Sequence, residues 1–195
     1  MKYNVVLTVP DDVQASLDIL VNRFRVDCSS VSAPGHRHLT LYRFYAPDAD
    51  DIYVTRLRSL EFSPVSLVSG RFLRLFNDEH ADGFSLVVPF ISDQAICGLH
   101  ALVADTLNSV REPHLCSHAV CSDPRRKQLC DLLGSPFYGP QYRPHVTLAV
   151  LNPGVIVPYV PVECAWVAGS FSLWKKSGCL ENDGWESVQT FPLVS

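Results

Sequence analysis

The chain has little lysine, a single methionine, no apolar run long enough to span a membrane and no pair of cysteines at CxxC spacing. Each shortage excludes something. A membrane-spanning helix needs ~20 consecutive apolar residues, and Met1-Lys2-Tyr3-Asn4 carries no hydrophobic signal core, so a soluble cytoplasmic protein is expected. Seven cysteines, at 28, 97, 116, 121, 130, 164 and 179, form an odd and scattered set. That argues against the disulfide framework of a small secreted domain, and most are expected to be thiols. A net charge of −4 leaves no cationic excess to coat a long nucleic acid. The basic residues are mostly of one kind, however. Arg outnumbers Lys 12 to 4, which suits bidentate contacts to a small phosphorylated ligand wherever a few guanidinium groups converge.

What is present is the material of a packed globule. Of 195 residues, 47% are apolar and 18% charged, enough for one ordinary domain or one domain of two closely packed lobes. Residues 3–9 are β-branched and alternate, as a strand does; Pro10-Asp11-Asp12 then opens a helix whose buried face is Val13, Leu17, Leu20 and Phe24. A second strand is expected at 38–44, and a helix at 48–60 with Ile52, Leu57 and Leu60 on its apolar side. Strands follow at 65–76 and 84–90. Ser92 is the expected cap of a helix carrying Ile96, Leu99, Val103 and Leu107. A shorter helix is expected at 124–133, then strands at 144–151, 164–175 and 185–191. Several neighbouring strands are joined too closely for parallel crossovers, so the class is α+β with antiparallel sheets.

One internal echo stands out. His38-Leu39-Thr40-Leu41 and His145-Val146-Thr147-Leu148 are the same tetrad, His-apolar-Thr-Leu, and both fall in expected strands behind turn-forming residues. Alternate side chains of a strand share a face, so each tetrad presents an imidazole beside a hydroxyl and sends its apolar pair the other way. Two such strands brought together surround a small cavity with two imidazoles and two hydroxyls. One neutral histidine can take a proton from an attacking hydroxyl or water, and a protonated one can deliver a proton to the leaving oxygen, while threonine hydroxyls hold phosphate oxygens. The ordinary histidine pKa of ~6.5 permits both states near neutrality.

Other candidates are weaker. His36 shares strand parity with His38, although a solvated histidine at a strand start reads the same way. Tyr142 and Arg143 precede the second tetrad, where a ring could stack on a base and a guanidinium pair with phosphate; the alternative for Tyr142 is packing over its own lobe. His114, Cys116, His118 and Cys121 collect four soft ligands, but their spacing is irregular and matches no zinc knuckle, so no metal is expected.

In its two tetrads, above all Tyr142-Arg143-Pro144-His145-Val146-Thr147-Leu148, the sequence resembles the two-histidine (2H) phosphoesterases, whose signature is a pair of His-x-Thr/Ser motifs followed by an apolar residue. Weaker similarity covers nearly the whole chain, including Phe171-Ser172-Leu173-Trp174 and Trp185-Glu186-Ser187-Val188. The resemblance implies a single bilobal domain over residues 1–195, with pseudo-twofold symmetry, two antiparallel sheets lining a central groove and helices outside. It implies His38 and His145 as the acid/base pair, Thr40 and Thr147 as phosphate ligands, Trp174 and Lys175 at the rim, and no cofactor. The segment 110–142 is long for a compact member. Three activities remain open: cleavage of 2′,5′-oligoadenylate, opening of 2′,3′-cyclic or ADP-ribose 1″,2″-cyclic phosphates, and RNA 2′,5′ ligation or end processing. The acidic balance and the lack of an extended basic track favour a short oligonucleotide or nucleotide over structured RNA, and the protein is expected to be a monomer. The composition is similar to virus-encoded members that degrade 2′,5′-oligoadenylate and blunt the host RNase L response. A nucleotide-binding module without activity is the reading from another class.

Overall fold

Alternating β-branched and aromatic residues build most of the elements of a computed structural model that describes residues 1–25, 37–78, 83–112, 124–133, 135, 137–151, 159–176 and 184–194. In chain order these are β1 (Lys2–Thr8), α1 (Asp11–Arg25), β2 (His38–Tyr45), α2 (Asp50–Arg58), β3 (Val65–Val68), β4 (Arg74–Asp78) and β5 (Gly83–Pro89). Then come α3 (Gln94–Asn108), α4 (Pro124–Leu133), a 3-10 turn (Gly139–Gln141), β6 (His145–Leu151), β7 (Ala165–Ala168), β8 (Ser170–Lys176) and β9 (Trp185–Pro192). Among the described residues, seven strands form one antiparallel sheet in the order β4-β5-β6-β2-β1-β8-β9, and β3 pairs with β7 in a small second sheet. The fold is α+β, as expected. The two halves that carry the tetrads are not separated by the groove but adjoin directly, through one register pair, Leu39 with Val146.

That seam is the centre of a palindrome. Outward from it on either side lie a tetrad strand, its flanking strand and a third strand: β2, β1, β8 on one side and β6, β5, β4 on the other. In both halves a helix joins the flanking strand to the tetrad strand, α1 between β1 and β2 and α3 between β5 and β6. The halves share an irregularity too. In β1–β2 the register runs Val5 to Tyr42 and then Val6 to Thr40, so Leu41 is an extra residue; in β5–β6 it runs Leu86 to Ala149 and then Val87 to Thr147, so Leu148 is extra. Each tetrad therefore ends in a β-bulge at its leucine. The burial patterns agree, half-buried and buried alternating until the doublets Leu41-Tyr42 and Leu148-Ala149 turn inward together.

Leu39, Leu41, Val146 and Leu148 lie under one face and join a core with Leu17 and Val21 of α1 and Ile96, Leu99 and Val103 of α3. Asp93, rather than the expected Ser92, caps α3, its carboxylate accepting from the Ile96 N–H at 3.0 Å. In α2 the buried residues are Tyr53 and Leu57, four apart on one helix face, whereas Ile52 is 51% exposed. Tyr53 wins that face because its ring meets the rings of Tyr3 and Phe44 edge-on.

Two expected strands prove to be two each. The stretch 65–76 divides at Gly70 and 164–175 divides at Gly169, the first parts pairing as β3 and β7 in the small sheet. Gly70 lies where the chain crosses the end of β5: its N–H donates to the Pro89 carbonyl at 2.7 Å, and a Cβ there would crowd the proline ring at 3.1 Å. Cys97 and Cys164 are free thiols and Cys130 is disulfide-bonded. No helix among the described residues is long and apolar enough to cross a membrane.

Candidate active site

The face opposite α1 and α3 carries the histidines. Continuing the antiparallel register from Leu39 and Val146 sets His38 toward Thr147 and Thr40 toward His145, with the two imidazoles on a diagonal. Diagonal neighbours in such a sheet lie about 7–8 Å apart, room for one phosphate between them. All four side chains are half-buried, while Leu39 and Val146 beneath them are fully buried. The two tetrads are thus brought into one quartet.

Each histidine is held from the side. The His145 Nδ1–H donates to the Arg143 carbonyl at 2.8 Å; a carbonyl only accepts, so Nδ1 carries the proton and Nε2 the lone pair. The Phe76 ring meets His145 edge-on at 4.9 Å between centroids, and the Trp174 ring meets His38 in the same way at 4.8 Å. The correspondence follows from the palindrome: Phe76 is on β4 and Trp174 on β8, the third strand of each half. On β1, Asn4 is fully buried, with Nδ2 3.4 Å from His38 Nε2 and 3.5 Å from Thr40 Oγ1. At the foot of β2 the buried guanidinium of Arg37 is paired with Asp18 of α1 at 2.6 Å, and its backbone N–H donates to Gln14 Oε1.

Of the rim residues expected from the sequence, the structure brings Trp174 to the histidines and Arg143 to the surface beside them. Tyr142 lines a cleft together with Phe76 and Arg143. It is buried, stacked flat on His100 of α3 at 3.8 Å, and its hydroxyl donates to the Thr40 carbonyl at 3.0 Å; it ties the loop before the second tetrad to the strand of the first. Lys175 is on the wrong face. It stands opposite Tyr3, not Asn4, and its ammonium pairs with Asp48 and with Asp50, the latter at 3.1 Å, while the Tyr3 hydroxyl donates to Asp50 at 2.6 Å. That double pairing raises the lysine pKa and, from the other side, lowers that of Asp48. Lys176, one residue on, shares the face of Trp174 and the histidines.

Asn4 and Phe76 are the site residues that sequence reasoning missed. Asn4 had a signal, a single amide inside a strand of valines, and Phe76 had none until the register of three strands was known. Beside His145 a cleft of about 710 Å³ is walled by Arg74, Phe76, Pro89, Ile91, Arg143 and Pro144, apolar surfaces with two guanidinium groups. His36 and the group His114, Cys116, His118 and Cys121 lie outside the described residues. Among the described residues no three His, Cys, Asp or Glu side chains cluster as metal ligands would.

No family model matches the sequence, and no curated protein matches it. Solved structures do. The chain superposes over 99% of its length on TT0787 of Thermus thermophilus, with a TM-score of 0.72 at 19% identity and 98% of that chain covered. Escherichia coli LigT complexed with 3′-AMP matches over 100% of this chain and 98% of its own, with a TM-score of 0.64 at 10% identity. Usb1 of Kluyveromyces marxianus matches over 98% of both chains, with a TM-score of 0.54 at 11% identity. The fold is that of the 2H phosphoesterases. At such identities the likeness speaks for the 2H fold alone.

Proposed function

We propose that the chain is a metal-independent phosphodiesterase that cleaves a nucleotide phosphodiester between His38 and His145, with a 2′,5′-linked oligoadenylate as its substrate. The observation that supports the reading is the Leu39–Val146 register pair, which makes the two tetrad strands neighbours. A short nucleotide fits the net charge of −4, and LigT, which has the same fold, has been crystallised with 3′-AMP, NADP⁺ and ATP.

The roles follow from the hydrogen bonds. His145, with Nδ1 committed to a carbonyl, offers the Nε2 lone pair as general base and removes the proton of the 3′-hydroxyl, or of a water, that attacks the 2′-linked phosphorus. His38, protonated, gives its Nε2 proton to the departing 5′-oxygen. The P–O5′ bond breaks as the new P–O bond forms, and the proton taken by one histidine balances that lost by the other. Asn4 suits His38 in either state, since its amide donates to neutral Nε2 and, after a half-turn that exchanges nitrogen and oxygen, accepts from protonated Nε2–H. Thr40 and Thr147 donate to the non-bridging oxygens. Because histidines move both protons, the cycle calls on no Lewis acid.

Incubation with 2′,5′-triadenylate, 3′,5′-triadenylate and a 2′,3′-cyclic mononucleotide in the presence of a chelator tests this. The 2′,5′ trimer is expected to be cut and the 3′,5′ trimer spared. His38→Ala and His145→Ala should each lower turnover about 10²- to 10⁴-fold, the usual span of general acid–base catalysis. Turnover within a few-fold of wild type in both variants would overturn the mechanism, whereas binding without cleavage of any of the three by wild type would leave a nucleotide-binding module. Exclusive opening of the cyclic nucleotide would transfer the same four residues to a cyclic phosphodiesterase.

A further inference from the structure

Phe76 is a wall shared by two spaces. Its ring meets His145 edge-on, and it also lines the cleft of about 710 Å³ that Pro89, Ile91, Tyr142, Arg143 and Arg74 border. That volume suits a nucleoside-sized group. None of the four tetrad side chains lines the cleft, so it adjoins the reaction centre without being part of it. Its charge is of one sign. Arg74 and Arg143 line it and no carboxylate does, whereas the cleft between α1 and residues 161–165 is bordered by Asp12 and Glu163. Both arginines are exposed, and among the described residues neither guanidinium has an ion pair or a hydrogen bond.

The register puts Arg74 in line with the second tetrad. Arg74 stands opposite Val87 and Val87 opposite Thr147, so all three share a face. At ~4.8 Å between strands, the Arg74 backbone lies about 10 Å from that of Thr147. The matching place in the first half is Ser172, opposite Val6 as Val6 is opposite Thr40, and its hydroxyl is bonded to that of Thr190 at 2.8 Å. Thr190 is on β9, beyond β8; among the described residues no strand of the sheet lies beyond β4 to engage Arg74 in the same way. Arg143 is placed by its backbone. Tyr142 before it is fixed by the stack on His100, its own carbonyl accepts from His145, and the Pro144 carbonyl after it accepts from the Phe90 N–H at 2.8 Å. This wall is therefore preformed, which lowers the cost of ordering it around a ligand.

We propose that Arg74 and Arg143 hold a second phosphate of the substrate, the 5′-phosphate of the nucleoside on the His145 side. This rests on the nucleotide reading above and on its proton transfers. His145 takes the proton of the attacking 3′-hydroxyl, so the nucleoside bearing that hydroxyl is the one beside the cleft, and its 5′-phosphate lies one ribose from the scissile phosphorus. Planar guanidinium donors match phosphate oxygens two at a time.

Calorimetric titration compares the 2′,5′-linked diadenosine with and without a 5′-phosphate on the full chain, in a His38→Ala background that suppresses turnover and leaves the walls of the cleft unchanged. The phosphorylated ligand is expected to bind about tenfold tighter, the worth of one or two charge-assisted hydrogen bonds. Arg74→Gln and Arg143→Gln should each lower that ratio about threefold and together bring it below about twofold. Arg71→Gln, which removes an exposed cation outside the lining, should leave it intact. Equal binding of the two ligands, a ratio that survives the double substitution, or an equal loss with Arg71→Gln overturns the subsite. If the ratio behaves as expected while wild type cleaves neither ligand, the subsite stands and the phosphodiesterase reading falls; if both are cleaved and bound alike, the reverse holds.

Discussion

Substituting Tyr142 separates two roles for a ring beside the second tetrad. Tyr142→Phe keeps the stack on His100 and removes the hydroxyl that donates to the Thr40 carbonyl at 3.0 Å. Burial holds this phenol's pKa well above its usual value, so it remains a donor throughout the neutral range. Loss of one buried hydrogen bond, leaving a carbonyl short of a partner, costs about 1–2 kcal/mol. At ~2.1 cal/mol/K per residue the 195-residue chain has an unfolding entropy of about 0.4 kcal/mol/K, so Tm should drop by about 4 °C. Tyr142→Ala also empties the space of a buried ring, which costs about 3–5 kcal/mol or roughly 10 °C. Thermal melts followed by circular dichroism, alongside KM for a dinucleotide, read both effects. A Tyr142→Ala protein that melts within ~2 °C of wild type while its KM rises more than tenfold would make the ring a base platform, and the tie between the two tetrads would be refuted.

Further outcomes follow from other contacts. Asp18→Asn should destabilise more than Arg37→Met, by about 2 kcal/mol against under 1 in urea denaturation, because Arg37 is 2% exposed and keeps a buried charge without its partner, whereas Asp18 is 49% exposed and hydrates freely. His100 is buried, its Nδ1–H donates to the Leu41 carbonyl at 2.6 Å and its Nε2 has no hydrogen-bond partner among the described residues, so burial lowers its pKa below 6.5. The unfolded chain then binds more protons than the folded one just below pH 6.5, and stability present above that pH is lost on acidification; His100→Gln should flatten the fall of Tm between pH 6.5 and 5. Thr40→Val and Thr147→Val should each lower kcat about 10²-fold with little change in KM, and a loss confined to one of them would argue against equal use of the two tetrads.

Much of this was legible in the chain itself, and the reason is local. A period of two places His and Thr of each tetrad on one face whatever the partner strand, so the quartet needed only the tetrads and a way to bring them together. The bulges also left a mark, in the apolar doublets Leu41-Tyr42 and Leu148-Ala149, where alternation stops. The same period could have decided between Lys175 and Lys176, since only the second shares parity with Trp174. Phe76 and the partition at Gly70 and Gly169 depend on which strands pair, and pairing is decided by packing among residues far apart in sequence. Tyr142 illustrates the limit. Its neighbours in sequence are surface-like, and only its meeting with His100 makes it core.

The extra residue at Leu41 and Leu148 has a consequence for how such a protein changes over time. By restarting the inward–outward count just after each tetrad, it frees the residues beyond it from the parity of the histidines and threonines. Beyond the bulge Arg43 and Val150 face outward independently of what His38 and His145 require. Substitutions there can accumulate in one half without altering either tetrad, and the two halves, no longer bound to be alike, can diverge while the sheet keeps its palindrome.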